Sequence, residues 1–181
     1  MSVFLYKRYE TIYNRYTSCR YRPFWIQFII YPFINIFIPN IDNIIAYSRS
    51  GEEFENNLIK SIKVDYCNEQ SLAEAASSLQ INLDIIVVAI GALDNPEKSI
   101  RDLSAEKFLD MFNANTIPTA LIAKYFLPCL YRDRPTKFAS ISARVGSIQD
   151  NELGGWYSYR ASKSALNMTV SYTHLTLPTN R

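Results

Sequence analysis

The stretch Asp84–Ile90 (DIIVVAI) limits what this chain can become more than any other. After Asp84 it is wholly apolar and rich in β-branched residues, it is too short for a helix, and Gly91 stops it. Such a run reads as a strand covered on both faces, which places it inside a parallel sheet. The sequence around it fits the same plan. Asn43–Tyr47 (NIIAY) and Ile62–Tyr66 (IKVDY) read as short strands, and Glu69–Leu79 (EQSLAEAASSL) as a helix with apolar residues at helical spacing. Ser104 opens a long amphipathic helix reaching about Leu130, with Lys107 at its third position, so a cap is expected without a full capping box. Phe138–Ser142 (FASIS) is the next strand and Gly154 to about Met168 the next helix. Strand and helix alternating at this spacing indicate right-handed βαβ units around a parallel sheet, an α/β architecture.

In sheets of that kind ligands bind beyond the carboxyl ends of the strands, which gathers Gly91, Ser142 and the helix bearing Tyr159 at one edge. Tyr159 and Lys163, in the segment GGWYSYRASK, stand about one helical turn apart, so both side chains share a face. A Tyr hydroxyl titrates near pH ~10 in water, and a neighbouring ammonium favours its charged form and lowers that value. Such a pair can pass protons to a carbonyl or an alcohol. The spacing alone equally fits two surface neighbours, because the chain contains 13 Tyr.

Composition narrows the classes. A chain of 181 residues with 48% apolar content suits one domain with a real core. A net charge of +2 gives no case for nucleic acid. Cys19, Cys67 and Cys129 are odd in number and far apart, and His174 is the one histidine, so neither a disulfide framework nor a metal site is expected. Reduced thiols point to the cytoplasm. Residues 1–40 stand apart: they hold five basic residues and one acid, no glycine, and a run FWIQFIIYPFINIFI at Phe24–Ile38. Those 15 residues are interrupted by Gln27, Pro32 and Asn35 and fall short of the roughly 20 apolar residues of a spanning helix, so a membrane role is not expected.

The segments SARVGS and GGWYSYRASKSALNM, in that order, resemble the short-chain dehydrogenase/reductase family and its C-factor-like branch in particular, over roughly residues 42–168. The resemblance implies a Rossmann-like doubly wound parallel sheet and hydride transfer between a nicotinamide cofactor and a carbonyl or alcohol. It makes Tyr159 the acid/base, and Lys163 the group that lowers its pKa and holds the nicotinamide ribose. Asn115, in MFNANTIPTALIAKYFLP, matches the family's helix Asn that keeps a relay water, and Asp65, in KVDY, the Asp that receives the adenine amino group. On residue grounds alone Asn115 equally reads as a buried, satisfied amide and Asp65 as the cap of a turn. At the end of AYSRS, Arg49 can pair with a 2′-phosphate, which favours NADP over NAD, or it can be a solvated loop charge. The family commonly assembles through its two long helices, so a homodimer or homotetramer is implied.

The departures are as specific as the matches. Val88-Ala89-Ile90-Gly91 replaces the family's Asn-x-Gly segment, leaving Gly91 to let the cofactor approach the backbone. The usual carbonyl-polarising Ser aligns with Ala143, so Ser142 or Ser147, the latter 12 residues before Tyr159, would supply the hydroxyl. The first strand and Gly-rich phosphate turn are expected to be missing, since the first of five glycines is Gly51. The last strands are expected to be missing as well. Residues 1–40 therefore read as an aberrant segment; a frameshift is one origin, because Cys19-Arg20-Tyr21-Arg22 read one nucleotide later permits Val-Gly-Ile-Gly. Residues 41–169 read as a partial domain. Residues 170–181, VSYTHLTLPTNR from Val170, resemble a translated sequencing adapter, a non-native tail. The chain as given is expected to be weak or inactive. The alternative function is a non-catalytic Rossmann-like nucleotide-binding or signalling protein.

Overall fold

The computed structural model describes residues 42–51, 53–152 and 154–171 in full, and residues 2–7 and 172–175 as backbone. The β-branched run forms β4 (Ile85–Ala89), with Ile85, Ile86, Val88 and Ala89 all buried. β4 lies between β1 (Ser2–Lys7) and β5 (Lys137–Ser140); β2 (Asn43–Ser48) flanks β1 on its other side, and β3 (Ile59–Lys63) forms the far edge. All pairings are parallel, in the order β3-β2-β1-β4-β5. This is the parallel α/β sheet the sequence pattern indicates, in the Rossmann-like form the resemblance implies.

One part of that expectation is corrected. The first strand is not missing: Ser2–Lys7 (SVFLYK) fills the centre of the sheet, Leu5 registering with Ala46 on one side and Val87 on the other. Val3, Phe4, Leu5 and Tyr6 are strand-favouring types, and their grouping with the aromatic-rich sequence behind them hid the strand. The turn after β1, where the phosphate-binding glycines would stand, falls outside the described residues.

The helices are α1 (Glu69–Ser77), α2 (Ala105–Asn115), α3 (Ile117–Phe126) and α4 (Tyr157–Leu175). Asn68 caps α1, its side chain accepting from the N–H groups of Gln70 and Ser71. Ser104 caps α2 as expected, accepting from Lys107 N at 3.2 Å. The single helix expected over Ser104–Leu130 is two, broken at Thr116 (φ −114°, ψ −60°). Pro118, in the first turn of α3, has no N–H to continue the ladder from α2, and a 3-10 turn at Leu127–Cys129 ends the run. β3 also sits earlier than Ile62–Tyr66. Val64 and Tyr66 are buried beyond its end; Val64 N still donates to Ser48 O at 2.9 Å, and past it the alternation records burial alone. The backbone of α4 runs on to Leu175, into the segment that resembles an adapter.

The core joins sheet and helices. Leu72 of α1, Ile86 and Val88 of β4, Ile122 and Phe126 of α3, and Leu130 belong to one buried cluster, and Tyr47 meets Phe126 edge-on with ring centroids 5.5 Å apart. Packing α2 against α4 brings Asn115 and Lys163 towards the carboxyl ends of β4 and β5. Truncating the interior strand β4 with Ile86→Ala is expected to cost about 2–5 kcal/mol in urea unfolding. Ile148→Ala, at an 85% exposed position, should change stability by no more than about 0.5 kcal/mol.

Candidate active site

Because every strand is parallel, the segments leaving β2, β3, β4 and β5 emerge at the same edge of the sheet. Arg49 and Asp65 follow β2 and β3; Gly91 and Ser142 follow β4 and β5. α4 brings Tyr159 and Lys163 to the β4–β5 side.

Asn115, the last residue of α2, is 1% exposed and ties three elements together. Its Oδ1 accepts from Ala92 N at 2.7 Å, and its Nδ2 donates to Ala92 O at 3.0 Å and to Ser162 Oγ at 3.0 Å. The side chain thus grips both polar groups of Ala92, just beyond β4, and holds them to α4. Ser162 Oγ donates to Tyr159 O at 2.8 Å, and Thr116 Oγ1 donates to Ser162 O at 2.8 Å. The break between α2 and α3 therefore frees a residue to hold α4. The side chain has the contacts of a buried, satisfied amide.

Gly91 stands where a larger residue would be tightly crowded. A Cβ there would lie 3.0 Å from both Asn115 Oδ1 and Lys163 Nζ. Lys163 is buried, its Nζ donating to Ile141 O at a long 3.4 Å, and burial pulls its pKa down to about 8. Nζ is 5.9 Å from the centroid of the Tyr159 ring. Gly91, Asn115, Lys163 and Tyr159 therefore converge. A phenol and a buried amine on one helix face can exchange protons with an acceptor placed above them.

The two candidate hydroxyls differ in their surroundings. Ser142 follows Ile141, and its Oγ is buried with no hydrogen-bond partner. Ser147 is exposed, and its Oγ accepts from Asp150 N at 3.3 Å, in a loop also fixed by the Arg144–Asp150 ion pair. Of the two, Ser142 has the hydroxyl without a partner. Gly146 is pressed against α4, where a Cβ would meet Lys163 backbone at 3.0 Å. In so glycine-poor a chain, its presence was a usable signal.

Arg49 and Asp65 stand apart from this group, along the same edge. The Arg49 guanidinium lies over the Tyr66 ring at 5.4 Å. Asp65 is exposed and its Oδ1 accepts from Cys67 N at 3.0 Å, a turn-capping contact that leaves the carboxylate reachable. Among the described residues no three His, Cys, Asp or Glu side chains are placed to hold a metal, and no helix is long and apolar enough to cross a membrane.

The depressed pKa of Lys163 has a testable consequence. The folded chain releases this proton near pH 8, whereas the unfolded chain keeps it to about 10.5, so the unfolded state binds more protons between these values. Lys163 therefore makes stability rise with pH across that window, by at most ~1.4 kcal/mol per pH unit, and contributes no slope below it. Urea midpoints of the chain and of Lys163→Met, compared from pH 7 to 10, should differ by this slope.

No protein-family model matches the chain. It is 37% identical to C-signal of Myxococcus xanthus over 59 residues, 33% of this chain and 36% of that protein. It is 30% identical to 1-hydroxy-2-glutathionyl-2-methyl-3-butene dehydrogenase of Rhodococcus sp. (strain AD45) over 108 residues, 58% of this chain and 46% of that protein. The chain thus spans less than half the length of either curated relative. Among solved structures it superposes on a short-chain dehydrogenase/reductase of Burkholderia multivorans with bound NADP (TM-score 0.73, 18% identity, 98% of this chain and 74% of that one). It also superposes on the NADPH-bound carbonyl reductase from chicken fatty liver (TM-score 0.71, 20% identity, 96% and 71%). The chain thus has the fold of the short-chain dehydrogenases/reductases it superposes on, and in sequence it is similar to C-signal and to that dehydrogenase.

Proposed function

We propose that the protein is an NADP-dependent oxidoreductase, with NAD as the alternative cofactor, that moves hydride between the nicotinamide and a small carbonyl or alcohol. The observation that carries this reading is the convergence of Gly91, Asn115 and the buried Lys163 ammonium beneath Tyr159. The cofactor, when bound, supplies the hydride. Tyr159 gives its hydroxyl proton to the oxygen of a carbonyl being reduced, or takes it from an alcohol being oxidised. Lys163 holds positive charge beside the phenol and favours its ionised form. Asn115 fixes the strand exit and α4 relative to each other, and Ser142 Oγ is the better-placed hydroxyl for polarising the substrate oxygen, with Ser147 the second candidate.

Arg49 and Asp65, three and four strands from β5 along the same edge, are assigned to the adenosine half, Arg49 to a 2′-phosphate and Asp65 to the adenine amino group. The NADP and NADPH in two similar folds support that choice. Free Cys67 and Cys129 fit a reducing, cytoplasmic setting. Exposed Leu109 on α2 and Met168 on α4 suit assembly through these helices into a dimer or tetramer. Residues 170–181 are read as a non-native tail, which resequencing the locus past codon 169 tests.

Tyr159→Phe removes one oxygen and leaves the ring packing. In any form of the protein that turns over, it should reduce NADPH oxidation with simple ketones and aldehydes by about 100-fold or more, with unchanged circular dichroism. Undiminished turnover would refute the assignment and favour a non-catalytic nucleotide-binding role. The chain with this sequence is expected to bind NADPH weakly, because residues 1–40 contain no glycine to bring backbone amides to a pyrophosphate. Calorimetric titration measures this; a micromolar dissociation constant would show that other residues cradle the phosphates.

A further inference from the structure

The loop that leaves β4 carries a buried acid that the proposed reaction does not use. Glu97 is 1% exposed, and its Oε1 has no hydrogen-bond partner. Its Oε2 accepts from Ser158 N at a long 3.4 Å, and its main-chain carbonyl accepts from Trp156 N at 2.7 Å. Both donors lie at the start of α4, where Arg160 N to Trp156 O, at 2.8 Å, opens the helical ladder. The leading N–H groups of a helix have no partners within it, and the positive end of its dipole favours an anion.

The segment Glu97 holds runs against ordinary backbone preference. Gly154, Gly155 and Trp156 have φ values of 63°, 65° and 54°. Glycine adopts that region freely; tryptophan does so at a cost, so the surroundings must hold it there. A Cβ on Gly155 would lie 3.1 Å from Glu97 O, which shows how closely the two loops approach. Glu97 is itself braced: the next residues form a capped turn in which Asp102 Oδ2 accepts from Ser99 N at 2.9 Å and Lys98 N at 3.2 Å. On the other side, the Trp156 ring meets the Tyr159 ring edge-on, centroids 6.3 Å apart.

We infer that Glu97 is a positioning residue whose carboxylate holds Ser158 N while its main-chain carbonyl holds Trp156 N, so that it clamps the start of α4 behind the left-handed segment Gly154–Trp156 and sets the place of the Tyr159 ring. The importance of that place rests on reading Tyr159 as the acid/base; the clamp itself does not. It joins the loop that leaves β4 to the start of α4 by a second route, separate from Asn115.

Labelling tyrosine with 13C at Cζ, and assigning Tyr159 by its loss in Tyr159→Phe, tests the clamp without turnover. In Glu97→Ala the Tyr159 resonance should shift while those of the buried core residues Tyr47 and Tyr66 stay in place. Glu97→Gln, which keeps an oxygen for Ser158 N, should return it close to its original position. A folded Glu97→Ala with Tyr159 unmoved, or a Glu97→Gln shifted as far as Glu97→Ala, would overturn the inference. If Glu97→Ala loses the native Tyr47 and Tyr66 signals, Glu97→Asp replaces it, its carboxylate one methylene short of Ser158. Movement of Tyr159 alone supports the clamp; no movement, or collapse of all three signals, overturns it. In a form that turns over, Glu97→Ala should lower kcat roughly 10- to 100-fold while leaving the cofactor KM unchanged. A failure of Tyr159→Phe to affect turnover would remove the acid/base reading and leave the resonance result standing.

Discussion

The side-chain amide of Asn115 joins the exit of β4, the end of α2 and the middle of α4, and the geometry of the site depends on that junction. Ala92 N–H and C=O lie where the strand ladder has ended, so they need partners from elsewhere, and Asn115 supplies a donor and an acceptor together. Its remaining N–H reaches Ser162, and Ser162 is fastened from the other side by Thr116. An Asp, with no donor, or a Leu, with neither group, would leave buried main-chain groups unpaired. The same network gives Lys163 a fixed, water-poor surrounding. That surrounding holds its pKa near 8 and keeps its charge open to a negative neighbour.

The fold was legible where local pattern and burial coincide. DIIVVAI could hardly be anything except an interior strand, and alternation of strand and helix gave the parallel sheet. Tyr159 and Lys163 share a helix face by simple periodicity, and Gly91 marked a close approach. What periodicity cannot carry is partnership at a distance. The Asn115–Ala92 bonds span 23 residues, Asn115–Ser162 spans 47 and Glu97–Ser158 spans 61. Ser162 and Glu97 were missed because neither residue type, in its local setting, signals burial. β1 was missed for a different reason: composition averaged over residues 1–40 concealed six residues with ordinary strand character.

The edge of the sheet divides into two halves with different constraints. Around β4 and β5, side chains are buried and mutually fixed, which suits chemistry sensitive to small displacements. Around β2 and β3, Asp65 is exposed and Arg49 rests on an aromatic face, an arrangement that can adapt to a ligand's outer groups. Ser142, with its buried hydroxyl unpaired, belongs to the first half.

The central place of β1 bears on how the chain reaches its fold. β1 pairs with β2 about 40 residues later in the chain and with β4 about 80 residues later. During synthesis it would therefore emerge well before either neighbour exists, presenting two open edges until most of the sheet has been made. Contacts this distant in sequence close slowly, because the intervening chain must be ordered before the pairing returns any stabilisation. The strand on which the whole sheet is centred is thus the one most dependent on an early holding partner, and yield from cells should respond to chaperone supply more than to substitutions in the active site.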